Sequence, residues 1–349
     1  MQKQVASVSG GRTSHYMIHA LLEKFSRENV DFVFCDTGAE HKNTYEFIRK
    51  TEEHFNIHIQ CIRLFMPKPE GEGGEYIKLT SEQIGLNYKA FNSLMEKYGR
   101  PYVPSGKFCT NQMKTNIYKK YCNDTYGEGN YTTWIGYRSD PKDSSRAWGQ
   151  SLSGTLTRWF NIPQVDQGDF YKNCNLKLEV SIGTLIDYIA ENKLNPTSQS
   201  EWRKIMKIVD RVMKNKQIGY RFLFEISDFE EEDILKWWGS QEFDLDIPNH
   251  CGNCVFCIEK SVNQLSYLCH TQPEYASEWV IQLDSNKIPN KDRLLGEKVM
   301  YRDGAAKLTF EEIRNNALSK PKEYWEARVY RETKSNPCAQ NSCESYTVD

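Results

Sequence analysis

The chain has 349 residues, of which 26% are charged and 39% hydrophobic, and a formal net charge of −2. This composition describes a soluble globular protein, and any affinity for nucleic acid must come from a local patch rather than from the overall field. No run approaches the roughly eighteen apolar residues of a membrane span. The start of the chain has no apolar leader core, so no signal peptide, no membrane partner and a cytoplasmic location are expected. Eleven cysteines is an odd number. Without export signals this argues against a disulfide framework and for metal or redox chemistry at any clustered ones. Cys35, Cys61, Cys122 and Cys174 stand alone in the sequence and read as small buried hydrophobes.

The first informative stretch is Val5-Ala6-Ser7-Val8-Ser9-Gly10-Gly11-Arg12-Thr13-Ser14, followed by Met17, Ile18, Leu21, Leu22 and Phe25 at helical spacing. A strand, a glycine turn and a helix start aim backbone N–H groups and the positive end of a helix dipole at one point, which suits a phosphate chain. Ser9, Thr13 and Ser14 are expected to add hydroxyl donors and Arg12 a fixed positive charge. The plain alternative is a β–α turn with a Ser/Thr cap. The spacing is neither that of the Walker A loop nor that of the dinucleotide fingerprint.

Asp31–Cys35 reads as a second parallel strand ending in Asp36-Thr37-Gly38, His41–Phe55 as a helix, and Ile57–Leu64 as a third strand. This rhythm predicts an α/β fold with a doubly wound parallel sheet, whose ligands bind at the carboxyl ends of the strands. Residues 66–106, broken by Pro67, Pro69, Gly71, Gly73 and Gly74, read as a loop with one helix around Ser81–Tyr98. Cys109-Thr110 and Lys114 then open another helix. Tyr131–Ile135 reads as a strand running into Gly136-Tyr137-Arg138, with Asp143-Ser144-Ser145-Arg146 soon after. Two arginines at a strand end can fork onto phosphate oxygens and stabilise charge on a transferring group; surface salt bridges are the alternative.

These segments, in this order, resemble the phosphoadenylyl-sulfate (PAPS) reductase family of the PP-loop adenine nucleotide α-hydrolase superfamily. The likeness rests on the Ser-Gly-Gly-x-x-Ser loop at 9–14 and on Asp36-Thr37-Gly38 with Glu40. It also rests on Cys109-Thr110 with Lys114, and on Gly136-x-Arg138 with Asp143, Ser144 and Arg146. It implies an adenine nucleotide, ATP or PAPS, with Mg2+ as an accompanying ion. Residues 9–14, 36–38 and Gly136 would bind the nucleotide, and Arg138, Arg146, Lys114 and Cys109 would act in catalysis. The chain departs from the family pattern in carrying Arg12-Thr13 where many relatives have Lys-Asp, in the extra residues Pro141 and Lys142, and in lacking a C-terminal Glu-Cys-Gly-x-His. Cys343 is a poor substitute for that last motif.

From about Gln167 the strand–helix rhythm stops, which predicts a nucleotide-binding domain over 1–165, a helical region over 166–285 and a tail over 286–349. Trp202–Met213 reads as an amphipathic helix with Trp202, Ile205, Met206, Val209, Val212 and Met213 on one face. Arg203, Lys204, Lys207, Arg211 and Lys214 lie on the other, which is either a solvated face or a nucleic-acid surface. Ser227-Asp228 with Glu230–Glu232 reads as the cap of a further helix, and the tail is given one helix, Phe310–Leu318.

Cys251-x-x-Cys254-x-x-Cys257 is a compact triplet that fits a [4Fe-4S] cluster better than structural zinc, which usually takes two separated pairs; zinc remains the fallback. Cys109 is the expected fourth ligand, with Cys269 and His250 as alternatives. This arrangement resembles the iron–sulfur sulfurtransferases of DNA phosphorothioation. The expected function is a sulfur-transfer enzyme that activates an acceptor with ATP. A nucleic acid is the expected acceptor, a sulfur-donor protein a candidate partner, and a second copy of the chain is allowed. The alternatives are reduction of an adenylyl sulfate with release of sulfite, and a non-catalytic nucleotide-sensing or nucleic-acid-binding module.

Overall fold

In the computed structural model, residues 2–67, 73–98, 108–193, 195–247, 252–285, 301–303 and 306–335 are described. The expected doubly wound α/β fold is present as a six-stranded sheet of order β4-β3-β2-β1-β5-β6. Its strands are β1 (Lys3–Val8), β2 (Val30–Asp36), β3 (Ile59–Phe65), β4 (Glu75–Leu79), β5 (Tyr131–Ile135) and β6 (Tyr220–Phe222). By contacts the chain divides into two compact units, one built on 1–32 and 122–244, the other on 33–121 and 245–345.

In the first unit β1 and β5 pair in parallel, Lys3 opposite Tyr131 and Ala6 opposite Trp134. Both are short apolar runs buried on both faces, as central parallel strands must be. Helix α1 (Arg12–Lys24) follows the glycine turn and buries Tyr16, Met17, Ile18 and Leu21. The strand–helix rhythm does not stop at 165. After the helices α5 (Gln150–Trp159), α6 (Gln167–Val180), α7 (Ile182–Asn192) and α8 (Gln199–Gln217), Tyr220–Phe222 adds β6 parallel to β5. Three residues are too few to show a period in the sequence. Gly219 makes this strand possible: its φ is +70°, and a Cβ there would meet the Tyr131 carbonyl oxygen at 2.7 Å.

Helix α8 opens with a complete capping box, Ser198 with Glu201. Its buried stripe is Ile205, Ile208, Val209, Val212 and Asn215. Trp202 and Met206, expected on that stripe, are instead 43% and 40% exposed. Helix α9 (Glu231–Gly239) is capped by Glu230 and Asp233 rather than by Ser227 and Asp228. The Ser227 hydroxyl instead accepts from the Phe229 amide.

The second unit holds α2 (Lys42–Phe55), β3, β4, α3 (Lys89–Tyr98) and the first half of α4 (Ile117–Tyr126). The segment expected as a loop contains β4, antiparallel to β3 with Phe65 opposite Glu75 and Cys61 opposite Leu79. Of the predicted breakers, Pro69 and Gly71 lie outside the described residues. Helix α3 is shorter than expected, beginning at Lys89. Farther on come α10 (Val262–Thr271), α11 (Pro273–Ser285), the short antiparallel pair β7 (Tyr301–Asp303) and β8 (Ala306–Leu308), α12 (Phe310–Leu318) and α13 (Lys322–Ser335). Helix α12 has the predicted bounds. Helix α13 is an addition to the expected single tail helix, tied down by buried Trp325 and Val329 against Tyr267 of α10. The Trp325 indole donates to the Ala317 carbonyl at 3.0 Å.

Trp325→Ala removes the largest anchor of α13 and is expected to cost about 3 kcal/mol in urea unfolding. Amide exchange should show protection lost first over Lys322–Ser335, because the rest of that helix is held by smaller contacts.

Candidate functional site

The loop after β1 turns at Gly10, whose φ is +80°. Gly11 follows in extended conformation as the N-cap of α1, and no side chain caps that helix. The first-turn amides of an α-helix have no intrahelical acceptor, so those of Arg12, Thr13 and Ser14 are anion donors by position. Two hydroxyls expected to join them serve the loop instead. The Ser14 hydroxyl accepts from the Ser9 amide at 3.0 Å and donates to the Gly11 carbonyl at 2.9 Å. The Ser9 hydroxyl donates to Ser14 Oγ at 3.1 Å. Gly136 closes the loop from β5: a Cβ there would sit 3.4 Å from Ser14 Cα.

Arg12 is not aimed at the loop's mouth. Its guanidinium grips Asp244 bidentately, at 2.7 and 3.0 Å, and its carbonyl accepts from the Trp238 indole. A fork-shaped cation with a matching carboxylate in reach takes it.

Arg138 and Arg146 are brought together by Asp143, which is 2% exposed. One Asp143 oxygen lies 3.3 Å from Arg138 Nη1, and the other 3.4 Å from Arg146 Nη1. Arg138 is also bound to Asp140 at 2.6 Å, approached by Glu231 at 3.7 Å, and donates to the Thr13 hydroxyl at 3.1 Å. Arg146 lies over the Tyr137 ring, 4.2 Å from its centroid. Asp140 carried no mark in the sequence, Tyr137 stood only as the spacer of Gly136-x-Arg138, and Glu231 only as part of a helix cap; the roles of the two acids come from the turn at Pro141–Ser144 and the start of α9.

The second unit has its own cluster. Asp36, expected to face the nucleotide, is fully buried and takes a bidentate grip from Arg63 at 2.8 and 2.5 Å. Its other oxygen accepts from the Gly38 amide and the Tyr45 hydroxyl. Burial pushes the Asp36 carboxyl up, and Arg63, the Gly38 amide and Tyr45 pull it back. Its task is to hold the Thr37–Glu40 turn. Gly38 is required there: its φ is +68°, and a Cβ would meet Asn87 Oδ1 at 2.6 Å. A clue lay in the sequence, since Arg63 interrupts the apolar run of β3 and a buried cation needs a partner.

Lys114, in a wide π-helical turn over Asn111–Asn116, is buried and 3.6 Å from Glu40. Its charge is thus met by a carboxylate rather than left for phosphate. Glu40 also accepts from Thr37 at 3.3 Å and from the Cys254 thiol at 3.8 Å, and Thr37 lies 3.5 Å from the same sulfur. The Val255 amide donates to the Ala39 carbonyl at 2.8 Å, which fixes the cysteine loop against this turn.

Cys254 and Cys257 are both half-buried on a tight loop, with Asn253 at φ +63°. The Lys260 ammonium donates to the Gly252 and Cys254 carbonyls at 2.7 and 2.6 Å. Cys109 is half-buried in the turn before the π-helical segment. Cys251, His250, Cys338 and Cys343 lie outside the described residues. Among the described residues no three His, Cys, Asp or Glu side chains are arranged to hold a metal. The described part of the motif still suits a thiolate-bound cluster chemically, because a buried cation on the same loop offsets thiolate charge. Cys269 suits it less: burial pushes its thiol up to about 12. Cys35, Cys61, Cys122 and Cys174 are buried, as expected.

A mostly parallel sheet with an uncapped Gly-Gly loop before its first helix, and an arginine pair after β5, defines a PP-loop α/β protein. The family model for the phosphoadenosine phosphosulfate reductase domain matches residues 3–147. The chain is 31% identical over 317 residues to the "Uncharacterized nin region protein ORF290" of Escherichia phage lambda, covering 88% of this chain and 85% of that protein. No solved structure matches at comparable significance. The chain belongs to the PAPS reductase family, a family of PP-loop nucleotide-binding proteins related to sulfur transfer.

Two outcomes follow from this geometry. Burial lowers the pKa of His15, on α1, to about 3, whereas the unfolded chain titrates near 6.5. The unfolded state therefore takes the proton first, so this contribution is complete above about pH 6.5 and falls by roughly 1.4 kcal/mol per pH unit below it. Urea midpoints measured against pH should show that slope, and His15→Gln should flatten it. Separately, Asp143→Asn leaves two guanidiniums without their common carboxylate and should cost about 2 kcal/mol of stability in the same assay.

Proposed function

We propose that this protein is a sulfur-transfer enzyme that binds ATP and activates its acceptor by adenylation. An acceptor oxygen attacks the α-phosphorus, forming an acceptor–adenylate bond as the bond to pyrophosphate breaks. A sulfur nucleophile from a donor protein then displaces AMP. The acceptor in this reading is a nucleic acid.

The observation that carries the reading is the loop at 9–14: an extended glycine N-cap, no side-chain cap on α1, and serine hydroxyls already committed to holding the loop open. Such a loop offers amides to a polyphosphate with little reorganisation. Arg138 and Arg146, already oriented by Asp143, act on charge developing at the leaving pyrophosphate. Mg2+ accompanies the nucleotide. In the second unit Cys109, Cys251, Cys254 and Cys257 would hold a [4Fe-4S] cluster, with Lys260 offsetting their charge. Bound there, it would supply a thiophilic site for the incoming sulfur. Thr37, Glu40 and Lys114 would orient the Cys254 sulfur.

The test uses protein purified without oxygen and incubated separately with ATP plus a nucleic-acid pool and with PAPS plus a thiol. Pyrophosphate released from ATP, lowered about a hundredfold in Arg146→Ala, is expected. Sulfite from PAPS would instead make the protein a reductase. The same sample should contain about four iron and four sulfide per chain. One zinc and no sulfide would overturn the cluster.

A further inference from the structure

The cations of the two clusters above are matched by carboxylates, but three on the exposed side of α8 are not. Among the described residues Arg203, Lys204 and Lys207 make no ion pair. Lys193 and Lys204 both lie over the Trp159 ring, Lys193 at 4.0 Å, and the Lys193 ammonium donates to the Trp159 carbonyl. Partial desolvation and the adjacent Lys193 and Lys207 charges lower the Lys204 pKa against the pull of Glu201. These lysines are therefore neighbours that repel one another. Trp202 is 43% and Met206 40% exposed, large apolar groups left uncovered one helical turn apart, each directly before a cation of the exposed side, Arg203 or Lys207.

The Trp159 ring accounts for Lys193 and Lys204, but a solvated helix face gains nothing from the added charges of Arg203 and Lys207, or from an indole in water. A ligand with an anionic backbone and flat apolar faces would satisfy both features. We infer that the α8 face around Trp202, Arg203, Lys204 and Lys207 is a docking surface for single-stranded nucleic acid, with Trp202 stacking on an unpaired base. A duplex buries its base faces and offers the indole nothing, so the unpaired strand is favoured. This inference rests on the nucleic-acid acceptor proposed above and gives it a place on the chain.

The full chain, without ATP, is titrated into a labelled oligothymidylate of about twenty nucleotides at several salt concentrations, with anisotropy as readout. Binding should weaken with salt, and the double variant Lys204→Ala/Lys207→Ala should reduce the slope of log K against log salt by roughly 1.4. Trp202→Ala should weaken binding about tenfold with the slope unchanged, and Trp202→Phe should restore most of it. All these positions lie on the surface side of α8, so unfolding is not the expected cause of any loss, and circular dichroism checks it. Absence of binding at low salt overturns the proposal. So does equal affinity for heparin or duplex combined with indifference to Trp202→Ala, which marks a general polyanion patch. Because no ATP is present, failure here with pyrophosphate release intact removes only this surface. Binding here without pyrophosphate release removes only the adenylation chemistry.

Discussion

A buried charge must find its opposite within the fold, and the placement of Asp143 shows how much follows from that. Its carboxylate is almost fully out of water yet sits between two guanidiniums, so all three groups are held where they are. Removing the shared carboxylate would cost about 2 kcal/mol. The arginine pair after β5 is thus a rigid assembly, set by a carboxylate that needs both partners. Counting Asp140 and Glu231, the two guanidiniums face three carboxylates. In the proposed reaction, attraction for polyphosphate therefore rests chiefly on the backbone amides of the glycine loop. The arginines are better suited to orientation, and to charge that appears only during reaction.

The second unit obeys the same rule with different residues. Asp36 is matched by Arg63 and Glu40 by Lys114, and the two pairs are linked through Tyr45, which donates to Asp36 and accepts from the Glu40 amide. The Cys254 sulfur meets this network at Glu40 and Thr37. A polar network of this kind is costly when half-satisfied and stiff when complete. Here it holds the turn after β2 in one shape. That gives Cys254 a fixed environment of one hydroxyl and one carboxylate.

The sheet, its parallel core and the glycine loop were legible because they are written in local sequence: apolar runs of strand length, paired glycines, and helical spacing directly after. The antiparallel strand Glu75–Leu79 was hidden behind the prolines and glycines of 67–74, and Tyr220–Phe222 was too short to show a period. At the site, the motifs named side chains whose partners in the fold they did not show. Arg12, Asp36 and Lys114 look like ligand groups in a linear motif. In three dimensions each has a partner from a distant stretch, Asp244, Arg63 or Glu40, and pairing across the fold is what a linear pattern cannot display. On α8 the opposite happened. The apolar stripe was overcounted by Trp202 and Met206, since helical spacing marks which residues share a side but not how wide the buried strip is.

That last discrepancy separates two uses of positive charge in one chain. In the two clusters the cations are buried or half-buried, and the fold supplies carboxylates and fixes their geometry. Where Arg203, Lys204 and Lys207 sit on α8 they cost little in water, and among the described residues no carboxylate forms an ion pair with them. An unmatched cation in solvent is available to neutralise a phosphate and release the counterions condensed on it. A guanidinium already bound to a carboxylate has no such reserve. Strength of attraction and accuracy of placement are therefore divided between different surfaces of the protein, because neutralisation inside the fold improves the second only by giving up the first.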